Sequence, residues 1–376
     1  MSGPDKAMAL ASPSSPARSH LRAAAVVAGI ALTCAAIVSF GGDWGGRATS
    51  PTVLVSGISG LGNNLFQVAA AVYYAETYGF DIVLDATSPT LRWGTAVFTN
   101  RDKARRSLRG RKLSYLDTIF RSAKLRQATA SGEGQPGDRS NLLAVHNDYT
   151  ATKFVPQGQA ANGTALHVTG FNQHRDLFLP TLPRLPTYLN LNAGFHTRAL
   201  LRTRYGLSPG RQRHAIMLGV RRGADFAHMT KVGVTAYERG LRAVFETRAG
   251  HATPWTLVVL ADTDVGDMRL AERASALAAK YGPHTVRTVV IAEDDITQLH
   301  AGLACDHFIL SESTFHYWIA VLRGVLPPRR PDVQVVVFEG TDLTDRPLAL
   351  EGWTRLPYQY GLKNKSIPAW IFRDGI

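Results

Sequence analysis

The chain has 376 residues, of which 45% are hydrophobic and 19% charged, with a formal net charge of +13. That composition excludes a disordered chain and suits a body of about two domains. The basic residues are spread along the chain, and the densest run, Arg101 to Lys112, has no interleaved aromatic ring, so nucleic acid is not expected as a partner. With only Cys34 and Cys305, an intramolecular disulfide framework and a cysteine metal site are excluded as well.

Residues 1–22 begin with a Ser/Pro/Ala-rich stretch that cannot build a core, and they read as a short cytosolic tail. Ala23 to Phe40 then runs without a charge, long enough for a membrane-spanning signal anchor, with Arg18 and Arg22 on the side expected to stay in the cytosol. Residues 41–51 form a Gly-rich stem. The body that follows is expected to be lumenal, a single-pass type II arrangement in the Golgi membrane. The sequons at Asn162 and Asn364 fit that placement as glycosylation sites.

Thr52 to Ser56 reads as a buried strand, followed by a change to helical periodicity with Leu65, Ala69, Val72 and Ala75 on one face and Gly79 as carboxyl cap. Ile82 to Leu84 is the next strand. The loop between strand and helix holds Gly57, Gly60, Gly62, Asn63 and Asn64. It lets backbone approach a ligand at a helix amino terminus, although its spacing is not that of a dinucleotide fingerprint. Residues 86–165 give no clear periodic signal. Ala165 to Phe171 reads as a strand, Pro180, Pro183 and Pro186 mark a crossover, and a helix is expected over 197–205.

The second half alternates regularly. Strands are expected at 215–220, 257–261, 288–292, 307–310 and 333–338, with helices at 235–248, 268–281, 296–304 and 315–322 between them. This predicts an α/β protein with two Rossmann-like domains facing a cleft, 52–205 and 206–376. Strand 215–220 ends in Arg221, Arg222 and Gly223, followed by Asp225. Adjacent guanidinium forks at the carboxyl end of a parallel strand suit a phosphate or pyrophosphate group.

Three blocks, in order, resemble the α-1,2-fucosyltransferase family. GLGNNLFQVA (Gly60 to Ala69) is similar to the family's GLGNQLFQYA, GVRRGAD (Gly219 to Asp225) to HVRRGD, and CDHFILSESTFHYW (Cys305 to Trp318) to CDHFILSNSTFSWW. The resemblance implies a GT-B type fold, GDP-fucose as donor and inverting transfer to the 2-hydroxyl of a galactose-type sugar on a glycan acceptor. It implies no cofactor and no metal. Arg222, with Arg221, matches the donor-pyrophosphate contact; Ser311, Ser313, Thr314 and the adjoining Phe315 stand at a second strand end where hydroxyls and N–H groups can meet the same phosphates. Asp294 or Asp295 offers a carboxylate to a guanine edge. Asp225 is the candidate base, displaced one place by Ala224, and the family histidine is Gly219 here.

Two other readings follow from the same residues. Asp262 and Asp264 follow strand 257–261 as a DxD pair would in a metal-dependent GT-A enzyme; in the resemblance Asp262 instead lies on the donor side. The departures at Gly219 and Asp225 would suit a non-catalytic glycan-binding relative. Tyr317 and Trp318 read as core, and His307 and His316 lack a third ligand at metal spacing.

Overall fold

Parallel strands buried on both faces need apolar side chains at successive positions, and the runs TVLV, AIMLG, WTLVVL and VVVF meet that need. The computed structural model describes residues 51–93, 113–128, 143–146, 165–208, 214–220, 232–246, 255–261, 265–281, 286–326, 333–345 and 348–357. All belong to one contact unit, Ala48–Pro136 with Leu142–Ile376. The segment 23–40, both sequons, Arg221, Arg222, Asp225, Asp262 and Asp264 lie outside the described residues. Among the described residues no helix is long and apolar enough to cross a membrane.

The strands form two sheets with every described pairing parallel. The first contains β1 (Thr52–Val55), β2 (Asp81–Asp85), β3 (Leu125–Ala128), β4 (Leu143–His146) and β5 (Leu166–Thr169), in the order β3-β2-β1-β5-β4. The second contains β6 (Ala215–Gly219), β7 (Trp255–Leu260), β8 (Val286–Ile291), β9 (His307–Ile309), β10 (Val335–Phe338) and β11 (Thr354–Leu356), in the order β11-β10-β9-β6-β7-β8. Read from β8 inward, this is the doubly wound 3-2-1-4-5-6 arrangement. The expected α/β class and parallel sheets are therefore observed. β3, β4 and β11 were not anticipated. They are short edge strands, and β3 carries exposed Arg126 and Gln127 at its centre, so an apolar alternation never develops.

The longer helices are α1 (Leu61–Tyr78), α2 (Phe195–Thr203), α3 (Val234–Glu246), α4 (Val265–Tyr281), α5 (Asp295–Leu303) and α6 (Thr314–Val325). Side chains of the second sheet alternate with the pleat. Ile216, Leu218, Leu257, Val259, Val336 and Phe338 join one hydrophobic cluster with α3 and α4, whereas Met217, Val258, Leu260, Val335 and Val337 join another with α5 and α6.

The second cluster also contains β1, β2, β5 and α1, so a continuous core runs from one sheet to the other. This explains why α1 is buried well beyond its expected face: Phe66, Val68, Ala70 and Ala71 are inside as well. One flank packs on the first sheet and another on α6. Phe66 sits 4.9 Å from Trp318, 5.6 Å from Tyr317 and 5.4 Å from Phe178 by ring centroids, and all four rings are fully buried. Gly79 closes α1 at φ 74° with its N–H on the Ala75 carbonyl, as its sequence position predicts.

Phe66→Ala should lower the unfolding free energy by about 3–5 kcal/mol, measured by denaturant titration. Because the core is shared, far-ultraviolet dichroism and tryptophan fluorescence should shift together; separated transitions would contradict a common core. A second outcome concerns His300 on α5, where burial lowers the imidazole pKa from 6.5 to about 4. The unfolded chain takes up that proton first, so stability present above pH 6.5 is lost as the pH falls toward 4, by roughly 3 kcal/mol. His300→Gln should flatten that limb of the stability profile, and an unchanged limb would assign it to other groups.

Candidate functional site

In doubly wound sheets a crevice opens at the carboxyl ends of the two strands where the chain order reverses. In the second sheet those strands are β6 and β9. The pairing of β6 with β7 continues past the strand, as Val220 N–H donates to Leu260 O at 2.8 Å. Arg221 and Arg222 follow Val220 directly in the chain, so the arginine pair begins at the carboxyl edge of the central strand.

β9 leads through Leu310 and Ser311–Ser313 into α6. Ser311, Glu312 and Ser313 are buried at 3–6% exposure. Their hydroxyls already have protein partners. Ser311 Oγ accepts the Ser313 N–H at 3.3 Å and lies 2.7 Å from His316 Nδ1, while Ser313 Oγ caps α6 by accepting the Phe315 N–H at 3.3 Å. Thr314 Oγ1 donates to Asn63 Oδ1 at 3.2 Å. Phe315 is buried with Tyr317 and Trp318, all three in the core cluster. The turn thus leads into the amino end of α6, the kind of helix end whose N–H groups suit an anion.

The first sheet reverses order between β1 and β5, and its loops close on the same place. After β1, Ser56–Gly60 leads to α1, whose first turn has neither a side-chain cap nor an acid. Gly62 is required there: a Cβ would stand 2.6 Å from the Thr314 carbonyl carbon and 2.7 Å from its Oγ1. The first turns of α1 and α6 therefore touch through backbone. Asn63 fastens the junction, accepting from Thr314 Oγ1 and from Gln173 Nε2 (3.0 Å) on the same oxygen. Asn64 points inward instead. Fully buried, it accepts the Ile58 N–H at 3.1 Å and donates to Ser59 O (3.2 Å) and Thr90 O (2.8 Å), holding the loop in shape.

Of the expected cleft-loop residues, the structure brings Gly60, Gly62 and Asn63 to the meeting of the two sheets and gives Asn64 a framework role. The loop after β5 was missed. Gly170 and the fully buried Asn172 take positive φ (76° and 51°), and Asn172 Nδ2 donates to Thr169 O and Gly170 O at 2.8 and 3.0 Å. The signal was present in the run Gly170-Phe171-Asn172-Gln173-His174, polar residues and a glycine directly after a strand.

The acids after β8 are engaged with protein. Asp294 caps α5, its Oδ1 accepting the Ile296 and Thr297 N–H groups at 3.0 Å each and its Oδ2 the Thr297 hydroxyl at 3.1 Å. Asp295 accepts the hydroxyl of Tyr115, from a segment of the first half. Glu293 Oε1 accepts from Tyr205 Oη at 2.8 Å and Arg204 at 2.9 Å. Burial, and then the bond to Glu293, push the Tyr205 hydroxyl up to about 12, so it remains a donor at neutral pH. Among the described residues no group of three or more His, Cys, Asp or Glu is placed to hold a metal ion.

No protein-family model matches the chain, and no curated protein matches it in sequence. Among solved structures, a mutant of Arabidopsis thaliana FUT1 in complex with GDP is similar at 14% identity, over 78% of this chain and 71% of that one, with a TM-score of 0.48. POFUT1 in complex with GDP-fucose is similar at 12% identity over 77% and 98%, with a TM-score of 0.42. The E. coli ADP-heptose heptosyltransferase II is similar at 12% over 82% and 90%, with a TM-score of 0.39.

Asn64→Ala removes three hydrogen bonds, one buried and two part-buried, and takes the partner from the Ile58 N–H, which should cost about 2–3 kcal/mol by denaturant unfolding. A loss under half a kcal/mol would mean that the loop holds its shape without this amide.

Proposed function

We propose that the chain is a glycosyltransferase of GT-B type that moves L-fucose from GDP-fucose to the 2-hydroxyl of a galactose or similar terminal sugar, with inversion. The observation that carries the reading is the position of Val220, at the carboxyl end of the central strand beside the switch point, with Arg221 and Arg222 next in the sequence. A diphosphate there meets guanidinium forks on one side and helix N–H groups on the other. The three sequence blocks that resemble the fucosyltransferases supply the sugar and the linkage. Two of them, Gly60 to Ala69 and Cys305 to Trp318, contain the residues that meet at Gly62 and Thr314.

In the transfer, the bond between the fucosyl anomeric carbon and the β-phosphate oxygen breaks, and a bond to the acceptor oxygen forms on the opposite face. The acceptor hydroxyl proton passes to Asp225 or to the departing phosphate. Arg222, supported by Arg221, neutralises the charge that grows on GDP, so that its contribution is larger in the transition state than in the ground state. The first half, with Gly60, Gly62 and Asn63, forms the acceptor side. Asp262 and Asp295, which follow the second and third strands of the second sheet in the sequence, are assigned to the donor side. The segment 23–40 anchors the enzyme in the Golgi membrane with the body lumenal, where Asn162 and Asn364 are open to glycosylation.

The test is GDP release from GDP-fucose across a panel of galactosides, with the product linkage determined. Arg222→Ala should lower kcat by about 10²–10³-fold, and Arg222→Lys should not restore it, since a point charge does not replace a bidentate fork. A near-normal rate in either variant would refute the assignment. Activity should survive a chelator; loss that Mn²⁺ reverses would favour the Asp262/Asp264 metal reading. Binding of GDP-fucose or galactoside with no GDP release for any acceptor would favour a glycan-binding protein.

A further inference from the structure

Gly219 ends β6 without a side chain, and the imidazole of His316 fills the space. A Cβ on residue 219 would stand 2.6 Å from His316 Cγ and 2.9 Å from its Cε1. His316 is 2% exposed, reaches the spot from the first turn of α6, and has its Nδ1 2.7 Å from Ser311 Oγ. Ser311 Oγ also accepts the Ser313 N–H, so the ring is tied to the whole turn in front of α6. The Gly219 carbonyl is separately held by the Tyr237 hydroxyl at 2.8 Å. The backbone one residue ahead of Val220 and the arginine pair is thus fixed by a hydroxyl and covered by a ring.

The aligned blocks give this contact a meaning. The motif resembled by Gly219 to Asp225 opens on histidine, and the motif resembled by Cys305 to Trp318 carries serine at the place of His316. This chain has glycine at the first position and histidine at the second, and the two positions are in contact. An imidazole carried on β6 and an imidazole carried on α6 would compete for one volume, so only one element can supply it.

We propose that His316 is a positioning residue of the donor site. Its imidazole is delivered from α6 to the carboxyl end of β6, and through Ser311 it fixes the turn that aims the amino end of α6 at the switch point. The proposal rests on the donor-site reading above.

The test uses the full chain, with GDP affinity by calorimetry and stability by denaturant unfolding. His316→Leu fills much of the volume without the hydrogen bond, and His316→Asn keeps a hydrogen-bonding atom near the place of Nδ1. GDP affinity should fall about tenfold in the first and stay within about threefold in the second, measured in buffer where unfolding curves show both to be folded. Gly219→His alone should fold poorly, because it meets the ring already present. The exchange Gly219→His with His316→Ser should recover GDP affinity to within about tenfold of wild type. Equal affinity in His316→Leu and wild type would reduce the ring to a filler and overturn the proposal, as would an exchange no better than the worse single variant. Wild-type protein that binds no GDP would remove the donor reading itself. In that case the unfolding cycle still reports whether residues 219 and 316 are coupled, so the two failures are told apart.

Discussion

The contact between two helix starts, Gly62 of α1 against Thr314 of α6, is the constraint on which the rest of the body depends. A side chain at 62 would force the helices apart and with them the two sheets, because each helix follows directly from a strand at its own sheet's reversal of order. The junction is fastened by one amide oxygen, Asn63 Oδ1, shared between Gln173 and Thr314. Amino ends of helices carry about half a positive charge each. Bringing two of them together concentrates positive potential where the sheets' carboxyl edges meet, with Glu312 in the turn that leads into α6.

Around this junction the polar groups of Ser311, Ser313, Thr314, Asn64, Asn172 and Asp294 are bound to neighbouring protein atoms and set the backbone in place. This follows from burial, since a hydroxyl or amide removed from water needs a partner whether or not a ligand is present.

Much of the architecture could be read from the chain because central parallel strands announce themselves. β1, β6, β7 and β10 are continuous apolar runs, and the helices of the second half begin and end close to the residues their periodicity marks. Edge strands β3 and β11 were silent, since a strand with one neighbour and few buried side chains has no apolar pattern to show. The junction of the two sheets was marked in the sequence by Gly62 and by the turn from Ser311 to Phe315. Its inner wiring was not. That His316 fills the place above Gly219, that Tyr115 reaches Asp295, or that Asn63 receives two donors are facts of packing between residues far apart in sequence, and local periodicity carries no record of them.

The aromatic group of Phe66, Phe178, Tyr317 and Trp318 has a consequence for how far the two sheets can part. Swinging the two sheets apart would bring such rings into water, at about 4–6 kcal/mol for each ring of 150–250 Å². A conformation with even one of them exposed would then be populated on the order of one part in 10³ to 10⁵. The shared aromatic group thus opposes any motion that would part the two sheets at this point.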